Sequence, residues 1–210
     1  MSGVTLIENY KNKKGRNEYA IILFRNKRSQ MYTDAGGFKQ ANKTINESAS
    51  EELKEESCNT FRISSRLLTT SVMVRQYKGF LVYIEGPINN NQHPIYSKYY
   101  KFNQNLLTNN KLTPYSFKET DDLTRFYISD LFKNGILTAR GNFICRDANG
   151  KTRSIDGRAK AIIREAISKQ IINISANKIN INLPKIKLKL HKKYVSPNRT
   201  FLNNTITYYT

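Results

Sequence analysis

At 210 residues the chain has room for one domain of ordinary size, alone or with an extension, and 39% hydrophobic residues supply a core. A formal charge of +19, from 35 Lys and Arg against 16 Asp and Glu, points to polyanionic partners such as RNA, DNA or nucleotides, beside the plainer reading of a lysine-rich solvated exterior. Cys58 and Cys145 have no CxxC partner or nearby His pair, which argues against zinc, and no stretch approaches a membrane span.

The start, "MSGVTLIENYKNKKGRNEY", lacks the apolar region of a signal peptide, so a cytosolic protein with free thiols is expected. "EYAIILFR", residues 18–25, reads as a buried strand between two polar, basic segments. "MYTDAGG" follows as an extended piece, where Gly36 and Gly37 either take positive φ or let another backbone approach closely. From Asn46, read as the N-cap, to about Ser57 the spacing turns helical, with Ala49, Leu53 and Cys58 inward. Residues 61–86 alternate as two strands turning at "QYKG", and a Pro/Asn-rich loop leads to "KYYKFN", read as another strand. "LTRFYISDLF" reads as a strand running into a short helix. "SIDGRAKAIIREAISKQI" reads as an amphipathic helix capped by Asp156, its apolar side made by Ala161, Ile162, Ala166 and Ile167.

No acidic residue follows Glu165, and in "PKIKLKLHKK" Ile186, Leu188 and Leu190 alternate with Lys185, Lys187 and Lys189. A strand of that pattern places apolar side chains on one face and lysines on the other. It serves either as a charged edge that resists aggregation or, with Lys192 and Lys193, as a contact for RNA. The division expected is a domain over residues 1–172 and a basic extension over 173–210. His93 and His191 read as surface residues.

Five of the sixteen acidic residues fall within the ten positions 47–56. Glu52, Glu55 and Glu56 stand at i, i+3 and i+4, on one helical face, where their charges repel and raise one another's pKa values. Such a face is either simply solvated or relieved by a divalent cation such as Mg²⁺ or Mn²⁺, which take a few carboxylates plus water and phosphate oxygens.

The order strand, Gly-Gly, loop, acidic helix resembles the Nudix box, G-x5-E-x7-R-E-U-x-E-E-x-G-U. Gly37 takes the glycine, and Glu52, Leu53, Glu55 and Glu56 fall at E-U-x-E-E with the spacing preserved. The box covers about a tenth of the chain. Three positions depart from it: Lys43 replaces the first Glu, Glu51 the Arg, and Cys58 the last Gly. In the family that Arg helps orient the helix carboxylates; here Arg16, Arg62 or Lys43 is the expected substitute. The resemblance implies an α/β/α sandwich with a mixed sheet, and a metal-dependent hydrolase of nucleoside diphosphate-X bonds.

On that resemblance Glu52, Glu55 and Glu56 hold Mg²⁺ or Mn²⁺. Glu52 and Glu56 act catalytically with a loop acid, Glu119, whose rivals are Asp121 and Asp122. Gly36, Gly37 and Lys39 line the substrate. The charge and the Asn-, Lys-, Ile- and Tyr-rich composition resemble the mRNA-decapping Nudix enzymes of large DNA viruses, which implies capped RNA as substrate and a host-cytoplasmic location. Hydrolysis of free nucleotides and a non-catalytic RNA- or protein-binding module stay open.

Overall fold

The computed structural model describes residues 1–11, 17–85, 95–110, 113–141, 143–175, 178–191 and 205–209. In chain order β1 (Ser2–Lys11), β2 (Asn17–Asn26), β3 (Tyr32–Thr33) and β4 (Ala35–Gly37) lead into α1 (Ile45–Glu56). Next come β5 (Phe61–Ile63), β6 (Ser71–Val74), β7 (Tyr77–Glu85) and α2 (Ile95–Asn109). They are followed by β8 (Thr120–Tyr127), α3 (Ile128–Lys133), β9 (Phe143–Arg146), β10 (Thr152–Ile155) and α4 (Gly157–Ser168). β11 (Ile172–Ser175), β12 (Lys178–Ile181), β13 (Lys185–His191) and β14 (Thr205–Tyr209) close the described chain.

β1 organises the main sheet. It is parallel to β7 along one edge, while its other edge pairs antiparallel with β4 at Ser2–Val4 and with β2 from Leu6 onward. Asp34 is the single residue between β3, which pairs with β2, and β4, which pairs with β1. It therefore lies where the edge of β1 changes partner. The side-chain alternation of β1 and β2 divides the core. Val4, Leu6, Ile22 and Phe24 meet Ala49 and Leu53 of α1 and Tyr100 of α2; Ile7, Ile21 and Leu23 meet Leu131 of α3 and Ile162, Ile163 and Ala166 of α4. The mixed α/β sandwich expected from the sequence is found, with helices on both faces of a mixed sheet. Among the described residues no helix is long and apolar enough to cross a membrane.

Two local readings are corrected. "KYYKFN" lies inside α2: Tyr100 and Asn103 are buried with Leu107 packed against the core, a helical spacing, whereas Phe102 is exposed. The N-cap of α1 is Thr44, not Asn46. Thr44 and Glu47 form a reciprocal capping box, and the Asn46 amide donates instead to the Leu68 carbonyl at 2.9 Å.

The basic segment enters the sheet. β13 runs parallel to β7 through Lys185↔Tyr83 and Ile186↔Ile84, and β14 bridges antiparallel β13 and parallel β5.

Candidate metal centre

The acidic face of α1 is held at both ends. Its capping box fixes the start, and the Gln40 N–H donates to Ser48 Oγ at 3.1 Å, laying the preceding loop along the helix. At the far end the Thr120 hydroxyl donates to the Glu56 carbonyl at 2.5 Å and itself accepts from the Tyr100 hydroxyl at 2.9 Å. The chain leaves the helix through Cys58 at φ 49° and Asn59 at φ 60°, both left-handed. The final glycine of the box thus falls on a position that needs left-handed backbone, and here a buried cysteine adopts it.

The three helix carboxylates have different surroundings. Glu56 is 6% exposed, and burial first, then Asp34 and Glu52, pushes its carboxyl well above the ordinary range, against the pull of Arg158 and of a hydrogen bond from the Gly36 N–H. Its Oε2 is buried and has no hydrogen-bond partner among the described residues. Burial, with Glu55 and Glu119 nearby, raises Glu52 to about 7. Glu55 is also raised by burial, but it takes a hydrogen bond from Ser116 and lies in the fields of Glu51, Lys54 and Lys43. Glu51, at the box arginine position, pairs with Lys54 and borders a separate cleft lined by Asn42, Lys43, Glu47, Ser50 and Ser65.

The loop acids separate by partner. Asp121 pairs with Arg25 at 2.7 Å, and Asp122 accepts from the Tyr32 hydroxyl at 2.5 Å. Glu119 is the one of the three that acts electrostatically on Glu52.

The cation beside the acids comes from α4. Asp156 caps that helix by accepting from the Arg158 N–H at 2.8 Å, and the Arg158 side chain then reaches the gap between β3 and β4. Its Nε donates to Asp34 Oδ1 at 2.8 Å, and one terminal nitrogen donates to Thr33 Oγ1 at 3.0 Å and to the Asp34 carbonyl at 3.2 Å. The guanidinium lies 4.7 Å from the centre of the Tyr77 ring, and the Tyr77 hydroxyl donates to the other oxygen of fully buried Asp34. Of the expected substitutes, Arg62 donates to Asn59 at 2.7 Å, Lys43 acts electrostatically on Glu55 and Glu47, and Arg16 lies outside the described residues. Asp34, Tyr77 and Arg158 escaped the sequence reading because they are far apart in the chain and match no motif.

The paired glycines act by close approach, not by positive φ. A Cβ on Gly36 would meet the Tyr77 hydroxyl and, at 2.7 Å, both Gly3 Cα and the Ser2 carbonyl. On Gly37 it would meet the Glu52 carboxylate at 2.5–2.8 Å. Gly36 is buried and gives its N–H to Glu56; Gly37 borders Glu52, and Lys39 is exposed. Of the tail lysines, Lys185 pairs with Glu85 at 2.8 Å and lies 6.0 Å from the Tyr83 ring. The side chains of Lys187 and Lys189, and Lys192 and Lys193 altogether, lie outside the described residues.

The donor set fits a hard divalent cation of the Mg²⁺ kind. Such ions take one or two carboxylates and complete their shell with water and substrate oxygens, and the unpartnered Glu56 Oε2 beside Glu52 offers that. A closed cage does not fit, because among the described residues no three acidic, Cys or His side chains are gathered as a metal-holding group. Glu52 feels the charges of Glu55 and Glu119 and acts in turn on Glu56, while Glu55 also takes the hydrogen bond from Ser116.

No protein-family model and no curated protein matches the chain. Among solved structures it is similar to a MutT/nudix family protein from Enterococcus faecalis, at 13% identity and a TM-score of 0.43. The alignment covers 81% of this chain but 62% of that one, and at that distance it bears on neither substrate nor site residues.

Proposed function

We propose that the protein is a metal-dependent Nudix pyrophosphohydrolase that cleaves a nucleoside diphosphate-X bond, with capped RNA the favoured substrate. The observation that carries this reading is the buried Glu56 Oε2, left without a partner next to a Glu52 raised to about 7. A buried carboxylate oxygen with nothing to bind is costly unless a ligand completes it.

Glu52 and Glu56 would hold the cation, with Glu119 bordering Glu52. When bound, a divalent cation supplies charge neutralisation at the diphosphate bridge and a more acidic water. Glu119, which borders Glu52 and is not assigned to the cation, would accept the proton of the attacking water as the phosphorus–oxygen bond of the bridge breaks. The residues otherwise work by positioning, as phosphoryl transfer requires.

A base-bearing substrate is supported by two rings. Phe38 is 79% exposed and Tyr115 is 73% exposed, the two most exposed large hydrophobic residues described. Phe38 follows Gly37 beside Glu52, and Tyr115 precedes the Ser116 that binds Glu55, so both border the acidic face and offer stacking surfaces. The charge of +19 favours RNA over a free nucleotide, since each neutralised phosphate adds salt-dependent affinity.

A non-catalytic RNA-binding module draws support from one observation, that no three-carboxylate group is gathered among the described residues. The test is to offer capped RNA, free cap dinucleotide and a nucleotide panel with Mn²⁺ or Mg²⁺. Release of m7GDP from capped RNA supports decapping, and turnover of free nucleotides alone redirects the substrate. Silence throughout, with salt-sensitive RNA binding, favours the binding module.

A further inference from the structure

The sequence places no arginine on the acidic helix, yet a guanidinium acts on its acids. Arg158 comes from α4, whose Ile162, Ile163 and Ala166 belong to the core cluster on the opposite face of the sheet from α1. Two of its nitrogens are committed to Asp34 and Thr33, and its plane rests on Tyr77. A single lysine ammonium cannot reproduce that fork.

The clamp is tied to the carboxylate site through packing. The Tyr77 hydroxyl, bonded to Asp34, lies in the space that a Cβ on Gly3 or Gly36 would need. Gly36 presses against it, and the Gly36 N–H donates to Glu56. Moving the guanidinium would release Asp34 and Tyr77, loosen the wall behind Gly36, and shift the hydrogen bond that sets the Glu56 carboxylate.

We infer that Arg158 is a positioning residue for the metal site: through Asp34, Tyr77 and Gly36 it fixes the orientation of Glu56, so that Oε2 is presented before any ligand arrives. The inference rests on the metal-binding reading above, not on hydrolysis. Groups that hydrogen-bond directly to a metal ligand typically change metal affinity by about 10–100-fold when altered, and Arg158 acts on Glu56 through such a group, the Gly36 N–H.

The experiment titrates Mn²⁺ alone into the wild type, Arg158→Lys and Arg158→Met by calorimetry, with thermal unfolding in EDTA to report the fold. Arg158→Lys keeps the charge and loses the fork; it is expected to unfold near the wild-type temperature yet bind Mn²⁺ about threefold to tenfold more weakly. Arg158→Met is expected to lose more than about tenfold. Wild-type Mn²⁺ affinity in Arg158→Lys overturns the inference, even where the Met variant does not fold. A wild type that binds no Mn²⁺ overturns both this inference and the metal reading. Mn²⁺ binding that the variants weaken, with no turnover of any nucleotide, supports the inference while removing the hydrolase reading.

Discussion

The backbone N–H of Gly36 donates to the carboxylate of Glu56, whose buried Oε2 has no partner among the described residues. Glu56→Gln keeps the shape and removes the charge. Metal-dependent turnover is expected to fall at least about 100-fold, while unfolding in EDTA stays near the wild-type temperature, because the neutral amide keeps the shape of a carboxyl whose burial already disfavours its charge. The shift in unfolding temperature on adding Mn²⁺ should vanish. Undiminished turnover in this variant removes the catalytic assignment.

Glu52 sets a pH dependence. Its carboxyl rises from 4.5 to about 7, by burial first and then by Glu55 and Glu119. The folded state therefore binds the proton more tightly than the unfolded chain. In EDTA this group favours folding most below about pH 4.5, and its contribution is lost as pH rises through about 7. Glu52→Gln should match the wild type's unfolding temperature near pH 4 and exceed it near pH 8. An identical difference at both pH values argues against the raised carboxyl.

Adjacent glycines should respond differently to alanine. In Gly36→Ala the new methyl meets backbone at 2.7 Å on β1, which cannot move aside cheaply. A loss of about 3 kcal/mol is expected, and adding Tyr77→Phe should not restore it. In Gly37→Ala the obstacle is the end of the Glu52 side chain, so stability should change by about 1 kcal/mol or less while Mn²⁺ affinity falls. Urea unfolding and calorimetry separate the two.

Cys58 combines full burial with φ 49°. Cys58→Gly removes the left-handed strain and also removes buried surface, so its net effect should be within about 1 kcal/mol. Cys58→Val adds a β-branched side chain at positive φ and should cost about 2 kcal/mol or more, measured by denaturant unfolding.

The tail lysines should divide in RNA binding. Lys185 already holds Glu85 at 2.8 Å, so Lys185→Ala should leave the salt dependence of RNA affinity close to the wild type. Neutralising Lys187 and Lys189 together should lower the slope of log affinity against log salt by about 2. An unchanged slope assigns that segment to edge protection.

Elements with their own local signal were legible in the sequence. The α4 helix announces itself by Asp156 and its apolar spacing, and β2 by a continuous apolar run between basic segments. β1 was not legible as a strand, because Val4, Leu6 and Ile7 make only a short apolar run, although it organises the sheet. The Thr44–Glu47 capping box was present in the letters and was passed over for Asn46, a residue equally suited to capping. Glu119, Asp121 and Asp122 have the same chemistry within four positions, and only their distant partners, Glu52, Arg25 and Tyr32, tell them apart. Arg158 and Asp34 are 124 residues apart, and no local pattern announces a contact of that range.

β14 lies beside β5, the strand that follows the acidic helix after a four-residue turn. One of the last described segments therefore completes the sheet next to one of the earliest. A pairing that spans so much of the chain is a slow closure, since its loop entropy must be met before its bonds form. During synthesis the acidic helix would emerge long before its neighbouring strand gains a partner, and β5 would stand as an open edge in the interval. β14 is thus placed to cover the edge of β5, beside the C-terminal end of α1, only after much of the intervening chain is made.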